Sequence, residues 1–285
     1  MKLARIAIVA AVAATALVAI AASPAEARVP SNPGQIRTVW TVVYGTTNTT
    51  VHGTVACPAG TQVVSPGADQ AYISSLAPTP DFRSVEAVGQ IKNAAPSNYM
   101  IIFAYCAADN LFNGITSSSV TLYGYPNPLR TGVAWCPAGF FAFGGGGYLM
   151  APDGSQSLTA AKMVSNAVSA SGQGWTFGLN TASTGPMVIN TRCAPAQGTW
   201  VKSANVILSP SGSSVDADCG PFYLAISGGV YLAKADGSGR ETYGRVTQSL
   251  MLGSSRWQVS GYSDAQTNPG AKLVALAQCV PLNSV

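Results

Sequence analysis

Residues 132–146 read Gly132-Val-Ala-Trp-Cys-Pro-Ala-Gly-Phe-Phe-Ala-Phe-Gly-Gly-Gly146. A cysteine is followed by a Pro/Gly turn, a four-residue stretch with apolar character and a small-residue triplet. The pattern occurs twice more, as Thr54-Val-Ala-Cys-Pro-Ala-Gly-Thr-Gln-Val-Val-Ser-Pro-Gly67 and Asp216-Ala-Asp-Cys-Gly-Pro-Phe-Tyr-Leu-Ala-Ile-Ser-Gly-Gly229. In each copy the small-residue triplet starts eight positions after the cysteine: Ser65-Pro66-Gly67, Gly144-Gly145-Gly146 and Ser227-Gly228-Gly229. Each copy also ends on an apolar strand and a second cysteine. These strands are Met100-Ile-Ile-Phe-Ala-Tyr-Cys106, Met187-Val-Ile-Asn-Thr-Arg-Cys193 and Leu273-Val-Ala-Leu-Ala-Gln-Cys279.

The spacing divides the chain in three. First cysteines recur after 136 − 57 = 79 and 219 − 136 = 83 positions, second cysteines after 193 − 106 = 87 and 279 − 193 = 86. Units are therefore expected at 35–112, 113–196 and 197–285, behind a signal peptide at 1–27 and a linker at 28–34. The leader has Lys2 and Arg5 before an apolar run, then Ala25-Glu26-Ala27, small residues at the two positions a signal peptidase reads. Secretion is the expected localisation, and no segment of the mature chain is apolar for long enough to span a membrane as a helix.

Six cysteines in an exported chain imply disulfides, and fifteen pairings exist. If each unit is one sheet, its first and last strands place their cysteines side by side. That gives Cys57–Cys106, Cys136–Cys193 and Cys219–Cys279, with pairing across units as the alternative. Each bridge would stabilise by ~4 kcal/mol in the chain-entropy model.

Alternation of β-branched and aromatic residues indicates strands throughout. Trp40-Thr-Val-Val-Tyr44 and Val120-Thr-Leu-Tyr-Gly-Tyr125 are examples, and Phe140 to Phe143 reads as a short buried strand bounded by glycines. Asp153-Gly154 and Asp236-Gly237, each seventeen positions after a first cysteine, read as type I′ hairpin turns. The first unit has no Asp-Gly there. Trp175 and Trp257 begin matching strands, and with Trp135 they are expected in the core.

Charged residues number 15 Lys+Arg and 11 Asp+Glu, 9% of the chain, against 47% apolar residues. That balance excludes disorder and the Glu/Lys-laced faces of a helical protein. A net charge of +4 is too small and scattered for nucleic-acid binding. His52 is the only histidine, so a Ser or Cys nucleophile has one base at most, and there is no Gly-x-Ser-x-Gly elbow. His52 reads as an exposed turn residue. Asp216 and Asp218 share a strand face near Ser213 and Ser214. Solvated edge residues are the preferred reading there, over a calcium site or a hydrolytic carboxylate pair. No metal, cofactor or catalytic residue is assigned. Tyr148 and Tyr231, just after the triplets, are the candidate binding residues, because a tyrosine ring offers flat apolar area and a polar tip. The triplets themselves offer a ligand close approach to backbone.

The Cys-Pro-Ala-Gly…Gly-Gly-Gly pattern resembles repeats in secreted bacterial proteins. The threefold array of cysteine-bounded units resembles the β-prism of vitelline membrane outer layer protein I, a family with three sheets about a pseudo-threefold axis that is not a conventional enzyme. The units here are longer, no Asp-Asp run is present, and no functional residue carries over. The expected fold is all-β, three sequential antiparallel Greek-key-like units around a common core. A β-prism is preferred; tandem sandwiches or a trefoil-like barrel are the alternatives. The expected function is a secreted, non-catalytic binding protein that recognises glycans or a cell surface. The alternatives are a structural protein of an envelope, coat or matrix, and a hydrolase using isolated carboxylates.

Overall fold

A computed structural model describes residues 33–91, 98–112, 114–124, 129–158, 161–195, 199–237, 239–240, 243–264 and 267–282. The expected signal peptide and most of the linker lie outside the described residues.

The described chain is almost entirely strands. The first unit supplies β1 (Arg37–Tyr44), β2 (Thr50–Ala56), β3 (Thr61–Asp69), β4 (Ala71–Pro78), β5 (Ser84–Ile91) and β6 (Tyr99–Ala108). The second supplies β7 (Thr116–Leu122), β8 (Leu129–Trp135), β9 (Phe140–Leu149), β10 (Lys162–Val168), β11 (Gly174–Asn180) and β12 (Met187–Pro195). The third supplies β13 (Trp200–Ile207), β14 (Ser213–Asp218), β15 (Tyr223–Ala233), β16 (Gly244–Leu252), β17 (Arg256–Ser263) and β18 (Lys272–Pro281).

These strands form three six-stranded antiparallel sheets and no closed barrel. Sheet I runs β1-β6-β3-β16-β17-β14, sheet II β2-β5-β4-β9-β12-β7 and sheet III β13-β18-β15-β10-β11-β8. Each unit gives three strands to each of two sheets, and each sheet is completed by the neighbouring unit. The units are therefore neither single sheets nor separate sandwiches. The seams are short: Ala68 pairs with Ser249, Leu76 with Gly147, and Asn166 with Val230. Counted from each unit's first cysteine, Ala68, Gly147 and Val230 occupy the same position, which makes Leu76, Asn166 and Ser249 equivalent as well.

The disulfides are Cys57–Cys106, Cys136–Cys193 and Cys219–Cys279, the expected pairs. The reason expected for them does not hold. Cys57 follows β2 of sheet II while Cys106 lies in β6 of sheet I, so the bridge joins two sheets. The other two bridges likewise join sheets III and II, and sheets I and III. Each unit thus staples together the two sheets it feeds.

The triplet-bearing strands β3, β9 and β15 pack against one another at the centre. Val64, Phe143 and Ile226, each seven positions after a first cysteine, are wholly buried there. The strand expected over Phe140–Phe143 runs on through the glycines, because those glycines are where neighbouring strands press closest. A Cβ on Gly146 would sit 2.1 Å from Leu76 O, and one on Gly229 2.1 Å from Asn166 O. A Cβ on Gly145 would lie 2.4 Å from the Trp175 indole, and one on Gly228 2.2 Å from that of Trp257. The triplets are filled by backbone and indole, which leaves no room at them for a ligand.

Trp175 and Trp257 are core residues, but Trp135 is 57% exposed. It lies on the outward face of β8 with exposed Thr131, whereas Arg130 and Ala134 on the other face of the same strand are buried. The Asp-Gly hairpins form, with different geometry. Only Gly154 and Gly237 take positive φ, and Gly154 N donates to Ala151 O, as Gly237 N does to Lys234 O. These are type I turns followed by a left-handed glycine, not type I′. The first unit omits the hairpin, and Gln70 alone joins β3 to β4.

Candidate functional site

Tyr148 and Tyr231 are repeat-equivalent and half-buried, yet their surroundings differ. Tyr148 borders a groove of about 460 Å³ with His52, Glu86, Pro78, Leu158 and the Gly154 hairpin. Burial raises the Tyr148 phenol, and the nearby Glu86 carboxylate raises it further. Tyr231 instead lies under Arg240, whose guanidinium carbon is 3.8 Å from the ring centroid. Burial lowers the Arg240 guanidinium, and Tyr231 opposes that shift. The third equivalent, Asp69, accepts from Gln70 N at 2.7 Å. Tyr148 thus faces open space, Tyr231 faces a cation and Asp69 closes a turn.

His52 is exposed, and β2–β5 pairing sets Glu86 two residues along from its partner Val88. The groove's serine, Ser155, donates its Oγ to Asp153 Oδ1 at 2.6 Å. Glu86 is the one carboxylate among the described residues of the groove. Asp216 forms an ion pair with Arg256 at 3.3 Å, and Asp218 Oδ1 accepts from Gly220 N at 2.8 Å. Ser213 Oγ donates to Ile207 O and Ser214 Oγ to Val259 O. Those four residues therefore serve β14 and its turns. Among the described residues no three His, Cys, Asp or Glu side chains cluster as a metal site.

Sequence reasoning passed over two further surfaces. The first is the outer face of β1 and β6, where Trp40 opposes Phe103, Val42 opposes Ile101 and Tyr44 opposes Tyr99. Trp40 is 63% and Tyr44 77% exposed, and the Tyr44 and Tyr99 rings meet edge-to-face at 6.1 Å. Counted from the second cysteine's partner, the Trp40 position holds Ser119 in the second unit and Ser203 in the third. The Tyr44 position holds Tyr123 and Ile207, 74% and 61% exposed. The alternating pattern of Trp40 to Tyr44 signalled a strand, but not that its aromatic face points outward from an edge.

The second surface is a cleft, also about 460 Å³, lined from all three units. Tyr72, Lys162 and Arg245 enter it, each four residues before the equivalent seam residues Leu76, Asn166 and Ser249. The Arg245 guanidinium carbon is 4.7 Å from the centroid of the Tyr72 ring. Lys162 Nζ is 2.7 Å from Asp264 Oδ2 and 5.9 Å from the centroid of the Tyr243 ring.

No protein-family model matches the chain, and no curated protein is similar to it. The three disulfides suit an oxidising compartment. No helix among the described residues is long and apolar enough to cross a membrane.

Proposed function

We propose that this is a secreted, non-catalytic binding protein that recognises glycan chains. It is exported by the leader ending at Ala27, and its three sheets are arranged in the manner of a β-prism. The observation that carries the reading is the exposed aromatic face of β1 and β6. Trp40 and Tyr44 stand in water at a cost of unburied apolar area, on a face whose alternating residues Thr38, Trp40, Val42, Tyr44, Tyr99, Ile101 and Phe103 include no charge. Flat rings with polar tips suit the apolar faces and hydroxyls of sugar rings. Tyr44, Tyr123 and Ile207 repeat the contact position in all three units, which supports multivalent engagement of a long chain.

Retention of the purified mature protein on immobilised neutral polysaccharides tests this. Wild type should be retained. Trp40→Ala and Tyr44→Ala should lose most of that retention at unchanged melting temperature, since both side chains are exposed. Full retention by the double variant would sink the assignment of this face. Concentration-dependent self-association without retention would favour the structural reading. The groove at His52 and Glu86 gives hydrolysis little support, because a glycosidase of the usual kind needs a second carboxylate across the bond.

A further inference from the structure

We infer that the cleft shared by the three units is a subsite for an acidic sugar, one carrying a ring carboxylate; this rests on the glycan-binding reading above. Its volume, about 460 Å³, falls within the ~300–1,000 Å³ of small-molecule sites. Its inner wall includes Ile73 and Met163, which are almost wholly buried, and its border carries Tyr72, Tyr243, Lys162 and Arg245.

Charge decides the ligand. Lys162 is neutralised by Asp264 at 2.7 Å. Arg245 forms no ion pair among the described residues, and its guanidinium lies over the Tyr72 ring. A guanidinium stacked on an aromatic face keeps its in-plane N–H donors for another group. The anion that matches those donors is a planar carboxylate, which can accept two parallel hydrogen bonds. The Tyr243 ring, 37% exposed, offers an apolar face to a pyranose.

The repeat strengthens the assignment. Tyr72, Lys162 and Arg245 occupy one position of the repeat, and the fold brings the three to one place. The first unit supplies a ring, the second a paired cation and the third a cation with no counter-ion among the described residues. A position serving only the fold would have no need of three different chemistries at its point of convergence.

The test is calorimetric titration of the mature protein with oligomers of galacturonate, mannuronate and glucuronate, each beside its methyl ester. At least one acid oligomer should bind, and its ester at least about tenfold more weakly, the size expected for losing a charge-assisted hydrogen-bond pair. Arg245→Gln should weaken acid binding by a similar factor, and Arg245→Lys by less. Equal binding of acid and ester, or an Arg245→Gln variant with native circular dichroism and unchanged affinity, overturns the proposal. If Arg245→Gln does not fold, the acid-to-ester ratio on wild type decides alone. Absence of acid binding, with Trp40-dependent retention on neutral polysaccharide intact, defeats this subsite and leaves the broader reading standing. Absence of both defeats both.

Discussion

The first unit and the other two solve the same corner of the fold with different atoms. In the second unit Trp175 lies against Gly145, and its indole N–H donates to Asn166 Oδ1 at 2.7 Å. In the third, Trp257 lies against Gly228 and donates to Ser249 Oγ at 3.1 Å. The corresponding residues of the first unit are Val85, Pro66 and Leu76, all buried. The large ring becomes a small side chain, the glycine becomes proline, and the hydrogen-bond acceptor becomes an alkyl group. The three changes belong together: without an indole there is a volume to fill and no N–H to satisfy. The repeat preserves a filled and satisfied corner; the residues that fill it differ from unit to unit.

The seam between units gives the strongest way to break that comparison. Gly146→Ala and Gly229→Ala drive a methyl to 2.1 Å from a carbonyl oxygen and within 2.6 and 2.5 Å of a neighbouring Cα, so backbone must move. Each should cost about 3 kcal/mol or more, the upper end for overpacking. At Gly67 the same methyl meets Ser249 O and the Tyr105 ring at 3.2 Å, and a loss of about 1 kcal/mol is expected. Denaturant unfolding with disulfides intact measures all three. Equal losses would mean that the first seam is as tight as the others.

The tryptophan corner comes next in size. Trp175→Phe leaves Asn166 Oδ1 buried without its donor and should cost about 2 kcal/mol. Introducing the ring where it is missing should fail for want of space: Val85→Trp is expected to cost about 1–3 kcal/mol. Adding Pro66→Gly to it should return part of that loss, with a coupling of about 1 kcal/mol in a double-mutant cycle. Additive effects would show that Pro66 and Val85 do not share the volume assigned to them.

Strands, three units and the cysteine partners were legible, because alternation, spacing and even cysteine counts are local properties of the chain. The sharing of each unit between two sheets was not. Period-2 alternation in β2 or β11 says which side chains are buried, and is silent on which strand lies alongside. That is how the right disulfides followed from a mistaken single-sheet picture. Trp135 and Trp175 look alike as residue types, but Trp175 shares the buried face with Ala134 while Trp135 stands on the opposite, outward face. The buried polar position before each second cysteine was also hidden. It holds Tyr105, Arg192 and Gln278, inside runs that read as apolar strands. Tyr105 accepts from Met251 N across the seam, and burial pushes its phenol far up. Arg192 donates to Gln62 and stacks at 4.3 Å on Phe82, with burial pulling its guanidinium down to about 9, so it stays charged at neutral pH. Tyr148 was found by counting from the triplet. The Arg245 cleft escaped because Tyr72 lies 72 − 57 = 15 positions after its cysteine while Lys162 and Arg245 lie 162 − 136 = 245 − 219 = 26 after theirs, the first unit lacking the intervening hairpin.

That missing hairpin supplies the smallest expected effect. Between β9 and β10 the second unit inserts a turn whose left-handed position is Gly154, φ 86°. The first unit compresses the link to Gln70, which itself takes φ 69°. A side chain in that region costs about 1–2 kcal/mol relative to the right-handed region, and glycine avoids the cost. Against the gain stand the Gln70 Nε2 hydrogen bond to Asp69 Oδ2 at 3.1 Å and the greater freedom of a glycine in the unfolded chain. The bond from Gln70 N to Asp69 Oδ1 is made by backbone and survives substitution. Gln70→Gly should therefore stabilise by about 0.5 kcal/mol, the residue of these opposing terms. In the second unit Gly154→Ala, where a Cβ meets nothing within 4 Å, should destabilise by about 1 kcal/mol through the same preference. Opposite signs at the two turns would show that backbone conformation alone governs both. Loss of stability in Gln70→Gly would mean that the glutamine side chain holds the short link closed, a role with no counterpart in the glycine turns of the other units.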